Sequence, residues 1–131
     1  MNGLAVASLA ERRVLVVEDE YMIADEIASV LGEAGAIVIG PAASVDDGLA
    51  LLATQERLDG ALLDVNLHGR VAWPIVDALL KRGVPVVITT GYDDGAIPPA
   101  YTSLPRCEKP TTGRDVMELL QRTLKQCGSL N

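Results

Sequence analysis

Phenylalanine is absent from this chain, aromatic residues make up 3% of it, and it holds one tryptophan, one histidine and two cysteines. A core must then be built from Val, Leu, Ile and Ala. His68 stands alone, which excludes a histidine metal centre or a histidine-based triad, and it reads as a solvated loop residue. Cys107 and Cys127 lack metal-ligand spacing and form no disulfide framework, so a reduced cytoplasmic protein is the plain expectation, with a single bridge between them as the alternative. Basic residues are also few: 11 Lys and Arg against 18 Asp and Glu leave a net charge of -7 and no basic stripe. That balance argues against nucleic acid, whose phosphates must be neutralised. No apolar stretch reaches the roughly 20 residues of a membrane helix. Met1–Ala10 is apolar but has no basic residue before it, so it makes a poor signal peptide.

What is present is alternation. The 131 residues, 49% of them hydrophobic, suit one domain. Apolar runs of strand length occur at Val14–Val17, Ala36–Ile39, Ala61–Leu63 and Val84–Ile88, separated by helical patterns. Strands that are apolar on both faces belong to a parallel sheet covered by helices. Ile23, Ile27, Val30, Leu31 and Ala34 mark a first helix that Gly35 ends. Ser44 with Asp47, and Thr112 with Asp115, resemble capping boxes for the second and last helices. A third helix is expected over about Ala72–Arg82, with Pro74 tolerated in its first turn, Gly83 closing it, and Trp73 as a packing residue. Gly91–Pro99 carries two Gly and two Pro in nine residues, so any fourth helix there should be short, broken or mobile. A fifth strand is expected near Ser103–Cys107. The expected fold is α/β: a five-stranded parallel sheet, doubly wound as (βα)5, in the flavodoxin-like order 2-1-3-4-5.

Ligands of such sheets bind beyond the carboxyl ends of the strands. Glu18-Asp19-Glu20 follows the first strand, Asp64 ends the third, Thr89-Thr90-Gly91 ends the fourth, and Lys109-Pro110 follows the fifth. Each has a plain reading in isolation: a capping loop, a turn residue, a β-residue, a surface lysine before a turn. Together they bring carboxylates that repel one another to one place, which makes sense chiefly around a hard divalent cation, most plausibly Mg²⁺. A nucleophile, a metal site, a hydroxyl donor and a cation are the parts for phosphoryl transfer to a carboxylate.

The motifs VLVVEDE, ALLDVNLHG, PVVITTG and the EKP that holds Lys109 occur in that order within the five-unit alternation. In this the chain resembles the receiver domain of two-component response regulators over residues 12–126, with an N-terminal tail (1–11) and a C-terminal tail (127–131). The resemblance implies that Asp64 is the phospho-acceptor, that Asp19 and Asp64 bind Mg²⁺ with Glu18 helping through water, and that the Asn66 carbonyl completes the protein's share of the metal shell. Thr90 would hydrogen-bond the phosphoryl group and Lys109 would ion-pair with it. Two positions depart from the usual pattern: Arg106 stands where receivers place an aromatic, and Gly91-Tyr92 follows Thr90. Tyr92 is the candidate for a moving aromatic, and Arg106 reads as an exposed strand-end residue within reach of a partner or Asp94. The Thr-Gly-Tyr string with Asp64-Val65-Asn66-Leu67 resembles the FAT GUY receivers, often stand-alone and associated with HWE-type sensor histidine kinases.

These features imply a single-domain response regulator that catalyses only its own phosphorylation and dephosphorylation. It would be a monomer or weak dimer, free of nucleic acid and membrane, signalling by protein contact or acting as a phosphate sink. The short tail at Met1 favours this over a receiver cut from a hybrid kinase. An aspartyl-nucleophile phosphatase is disfavoured because Asn66 stands where its general acid would be. A partner-binding pseudo-receiver is disfavoured by the complete set of Glu18, Asp19, Asp64, Thr90 and Lys109. Neither G-x-x-x-x-G-K-[ST] nor G-x-G-x-x-G is present for a nucleotide.

Overall fold

The apolar runs become strands that bury both faces. The computed structural model describes residues 9–91 and 94–127. In it, β1 (Arg13–Val17), β2 (Ile37–Ala42), β3 (Gly60–Asp64), β4 (Val86–Thr90) and β5 (Arg106–Glu108) form one parallel sheet. The spatial order is β2-β1-β3-β4-β5, as expected from the sequence. β3 and β4 are buried at every position. The sheet is flanked by α1 (Tyr21–Glu33), α2 (Val45–Ala53), α3 (Trp73–Lys81) and α4 (Gly113–Gln126). A two-residue antiparallel ladder, Asn66–Leu67 against Arg70–Val71, sits between β3 and α3.

Alternation along the strands divides the core. Leu15, Val17, Leu63 and Ile88 meet Ile75 and Leu79 of α3 on one face. Val14, Val16, Leu62 and Val87 meet Ile27 and Leu31 of α1 and Leu120 and Leu124 of α4 on the other. Burying each such side chain contributes about 1.5–3 kcal/mol, enough in sum to hold the layers without aromatic anchors.

Local chemistry sets the helix ends. The Ser44 hydroxyl accepts the Asp47 N–H and the Thr112 hydroxyl accepts the Asp115 N–H, both at 3.0 Å, which is the N-cap half of each expected box. α1 closes with Gly35 at φ +89°, the Ala36 N–H reaching Leu31 O and the Gly35 N–H reaching Gly32 O. α3 closes the same way at Gly83, φ +72°, with Val84 N–H on Leu79 O. In both, glycine supplies the left-handed turn that satisfies the last carbonyls. Pro74 lies in the first turn of α3, where its missing N–H costs nothing.

The Gly- and Pro-rich fourth crossover, where any helix is expected to be short or broken, holds no α-helix among the described residues and has a 3-10 turn at Pro99–Tyr101, so four α-helices are described where the (βα)5 pattern has five. Gly95, Pro98 and Pro99 deprive that stretch of helical propensity and donors. β5 begins at Arg106, later than the apolar signal near Ser103, because Pro105 donates no N–H and serves only as the acceptor of the Ile88 N–H. The Lys109–Pro110 peptide is cis, as is Gly40–Pro41.

Candidate functional site

Parallel strands deliver their ends to one edge, and the chemistry collects there. Beyond β1, the Glu18 N–H is held by Ala42 O of β2, and the Glu18 carboxylate accepts the Glu20 N–H at 3.1 Å. Asp64 closes β3 in register with Thr89 of β4, and its Oδ1 accepts the Asn66 N–H at 3.1 Å. Lys109 follows β5, with its N–H on Thr90 O at 2.7 Å. Its ammonium donates to Asp64 Oδ2 at 2.7 Å and lies 3.9 Å from Glu18 Oε2.

Carboxylate oxygens of Glu18, Asp19 and Asp64 all lie within 4.8 Å of one another. Glu18 and Asp64 are 3% and 4% exposed, so water screens their repulsion poorly. Burial first, and then the charge of Asp64, push the Glu18 carboxyl up to about 8; the Glu20 N–H and Lys109 oppose this without prevailing. Burial lowers the affinity of Lys109 for its proton, but the hydrogen bond to Asp64 and the charges of Asp64, Glu18 and Asp19 outweigh it and raise the lysine above its usual value. Three hard oxygen donors crowded in this way can hold a divalent cation of the Mg²⁺ class.

The remaining sequence candidates are arranged around this group. Thr90 is buried, and with Lys109 and Arg106 it lines a cleft of about 410 Å³ beside the carboxylates. Asn66 meets Asp64 through its backbone N–H, while its side-chain oxygen accepts the Gly69 N–H at 2.8 Å. Arg106 is exposed and turns to Thr102 O at 3.5 Å; Asp94 instead accepts the Gly91 N–H at 2.5 Å. Tyr92 lies outside the described residues.

Several features escaped the sequence. The His68 N–H donates to Asp19 Oδ2 at 2.9 Å, with the ring Nδ1 3.4 Å from the same oxygen, so the loop histidine fixes a site carboxylate. Its φ of +53° aims that N–H, and a peptide N–H has no residue signature. Thr89, 4% exposed, has a buried hydroxyl with no hydrogen-bond partner among the described residues, and it borders an apolar groove of about 380 Å³ between α1 and the start of α4. Glu26 of α1 caps Gly113 at the start of α4. Trp73 packs on the core as expected and also stacks on Tyr101.

No family model and no curated protein matches the chain. Solved structures do. SdrG from Sphingomonas melonis Fr1 is 31% identical with a TM-score of 0.75, the match covering 87% of this chain and 97% of that one. The response regulator PhyR from Brucella abortus is 24% identical with a TM-score of 0.75, covering 95% of this chain and 52% of that one, so the match spans about half of PhyR. A CheY-like response regulator receiver domain protein from Methanospirillum hungatei JF-1 is 22% identical with a TM-score of 0.70, covering 87% and 94%. Among the described residues no helix is long and apolar enough to cross a membrane.

Proposed function

The chain belongs to the receiver-domain family of response regulators, and from that premise we propose that it accepts a phosphoryl group on Asp64 from a phosphohistidine of a sensor histidine kinase. The observation that carries this reading is the Asp64–Lys109 contact of 2.7 Å beside the three-carboxylate cluster.

Asp64 attacks phosphorus in line; the P–N bond to the imidazole breaks as the Asp64 O–P bond forms, and the departing ring nitrogen takes up a proton. A carboxylate is a weak nucleophile, so the residues contribute position and charge. Lys109, already at Asp64, neutralises oxygens of the incoming group. The Asn66 N–H orients the carboxylate that attacks. Thr90, which lines the neighbouring cleft, is the hydroxyl donor to the phosphoryl group. Glu18, Asp19 and Asp64, with the Asn66 carbonyl, would hold Mg²⁺, which when bound supplies positive charge to the phosphoryl oxygens.

The product is an acyl phosphate whose added charge of about −1.5 to −2 biases neighbouring segments, so the outcome is a signal and the protein turns over no separate substrate. It acts as a single-domain regulator in the cytoplasm, by protein contact or as a phosphate sink. The Thr90-Gly91-Tyr92 string supports a place in the FAT GUY group with an HWE-type kinase as donor.

The test is intact mass after incubation with Mg²⁺ and a small acyl phosphate. Wild type should gain one acid-stable phosphoryl group, while Asp64→Asn and wild type in EDTA should gain none. A gain that persists in Asp64→Asn would sink the assignment.

A further inference from the structure

Residues 95–104 replace the missing helix, and their attachment is narrow. Among the described residues, the hydrogen bonds that leave this segment for the rest of the protein are two. The Tyr101 hydroxyl donates to Asp77 of α3 at 2.7 Å, and Arg106 donates to Thr102 O at 3.5 Å, the edge of bonding distance. The remaining hold is apolar. Tyr101 stacks on Trp73, the first residue of α3, with ring centroids 4.2 Å apart and planes within 6°.

Each ring hangs from a different side of Asp64. Trp73 follows Ala72, whose N–H binds Val65 O at 2.8 Å, and Val65 is the residue after Asp64. Tyr101 belongs to the segment that leaves β4 at Thr90, whose carbonyl holds the Lys109 N–H. A parallel stack this close needs both roots to keep their relative position. A phosphoryl group on Asp64 would act on both, drawing the Thr90 hydroxyl toward β3 while Lys109 is already at Asp64 on one side, and loading the Val65–Ala72 turn on the other.

We propose that the Trp73–Tyr101 stack is a clasp, closed while Asp64 carries no phosphoryl group and opened when it does, which frees residues 95–104 from α3. The proposal rests on the phosphoryl-acceptor reading of Asp64. Opening uncovers Trp73 and the core-facing side chains Ile97, Tyr101 and Leu104. The segment is then both the sensor's moving part and the cover of an apolar face. By linkage, whatever opens the clasp must favour the phosphoryl state by the same factor.

Trp73 is the only tryptophan in the chain, so its fluorescence reports the stack directly. The full chain is incubated with Mg²⁺ and a small acyl phosphate, and mass and fluorescence are read on the same sample. A one-phosphoryl gain with a red-shifted emission and greater acrylamide quenching is expected in wild type, and neither change in Asp64→Asn. A mass gain with unchanged emission and quenching overturns the clasp alone. No mass gain in wild type overturns the acceptor reading, and the clasp falls with it. Tyr101→Ala should start red-shifted, show no further shift, and bind the phosphoryl mimic beryllofluoride with a midpoint roughly tenfold lower, read from the Thr90 amide resonance. An unchanged midpoint refutes the coupling. Tyr101→Phe, which keeps the ring and loses the bond to Asp77, should fall between the two; a Phe variant behaving as wild type in emission and midpoint removes Asp77 from the device.

Discussion

The Glu26 carboxylate accepts the Gly113 N–H at 3.0 Å, joining the middle of α1 to the first residue of α4. Lys109 stands four residues before that junction, so the bond steadies the run that carries the site's cation. A Cβ at position 113 would lie 3.1 Å from Glu26 Cγ, which is why glycine suits the place. Glu26→Ala should cost about 1.5–3 kcal/mol in urea unfolding, the range for a hydrogen bond to a charged group, and should slow phosphorylation. Full stability and rate in that variant would show the junction to be idle.

The Glu18 carboxyl, raised to about 8, makes the metal-free protein sensitive to pH. Between its ordinary value near 4.5 and 8 the folded state holds more protons than the unfolded state, so stability falls as pH rises. The contribution is complete below about 4.5 and is lost as pH climbs through 8. Urea unfolding in EDTA from pH 5 to 8.5 should show that decline, and Glu18→Gln should flatten it. Lys109, also raised, adds stability that is lost only above its own ordinary value and leaves this window untouched.

Lys109→Met removes the cation from Asp64 and Glu18. Breaking a fully buried pair costs about 3–5 kcal/mol, but the lysine side chain is 26% exposed, so a loss of about 1–3 kcal/mol is expected in EDTA. Mg²⁺ should raise the melting temperature of this variant more than that of wild type, because it replaces the missing charge. Equal shifts in a calorimetric titration would contradict a shared site.

The Thr89 hydroxyl is buried with no partner among the described residues. Thr89→Val keeps the branched shape and removes the unpaired group, so it should stabilise the protein by about 1 kcal/mol. A loss of stability in thermal unfolding would mean that the hydroxyl is satisfied in solution.

Much of this was legible in the sequence because it depends on residue type at fixed spacing. Val14–Val17 and Ala61–Leu63 can only be doubly buried strands, and Glu18, Asp19 and Asp64 then share an edge by topology. Pro98 and Pro99 forecast the missing helix. What escaped depends on tertiary placement. The hold of His68 on Asp19 is a backbone N–H, which any residue except proline carries. Tyr101 meets Trp73 and Asp77, and Glu26 meets Gly113, across stretches that no local period connects. The orphan hydroxyl of Thr89 arises only because β4 turns that residue into a packed interior, where a Thr in a strand otherwise looks ordinary.

β5 is three residues long and lies at the rim of the sheet, paired on one side only. The acidic members of the site follow β1 or end β3, strands gripped by neighbours on both flanks, whereas the ammonium that answers them follows the strand with the least grip. Amide exchange should therefore be slowest under the anions and fastest under the cation. The protein can let its positive charge yield without disturbing the frame that gathers the negative ones.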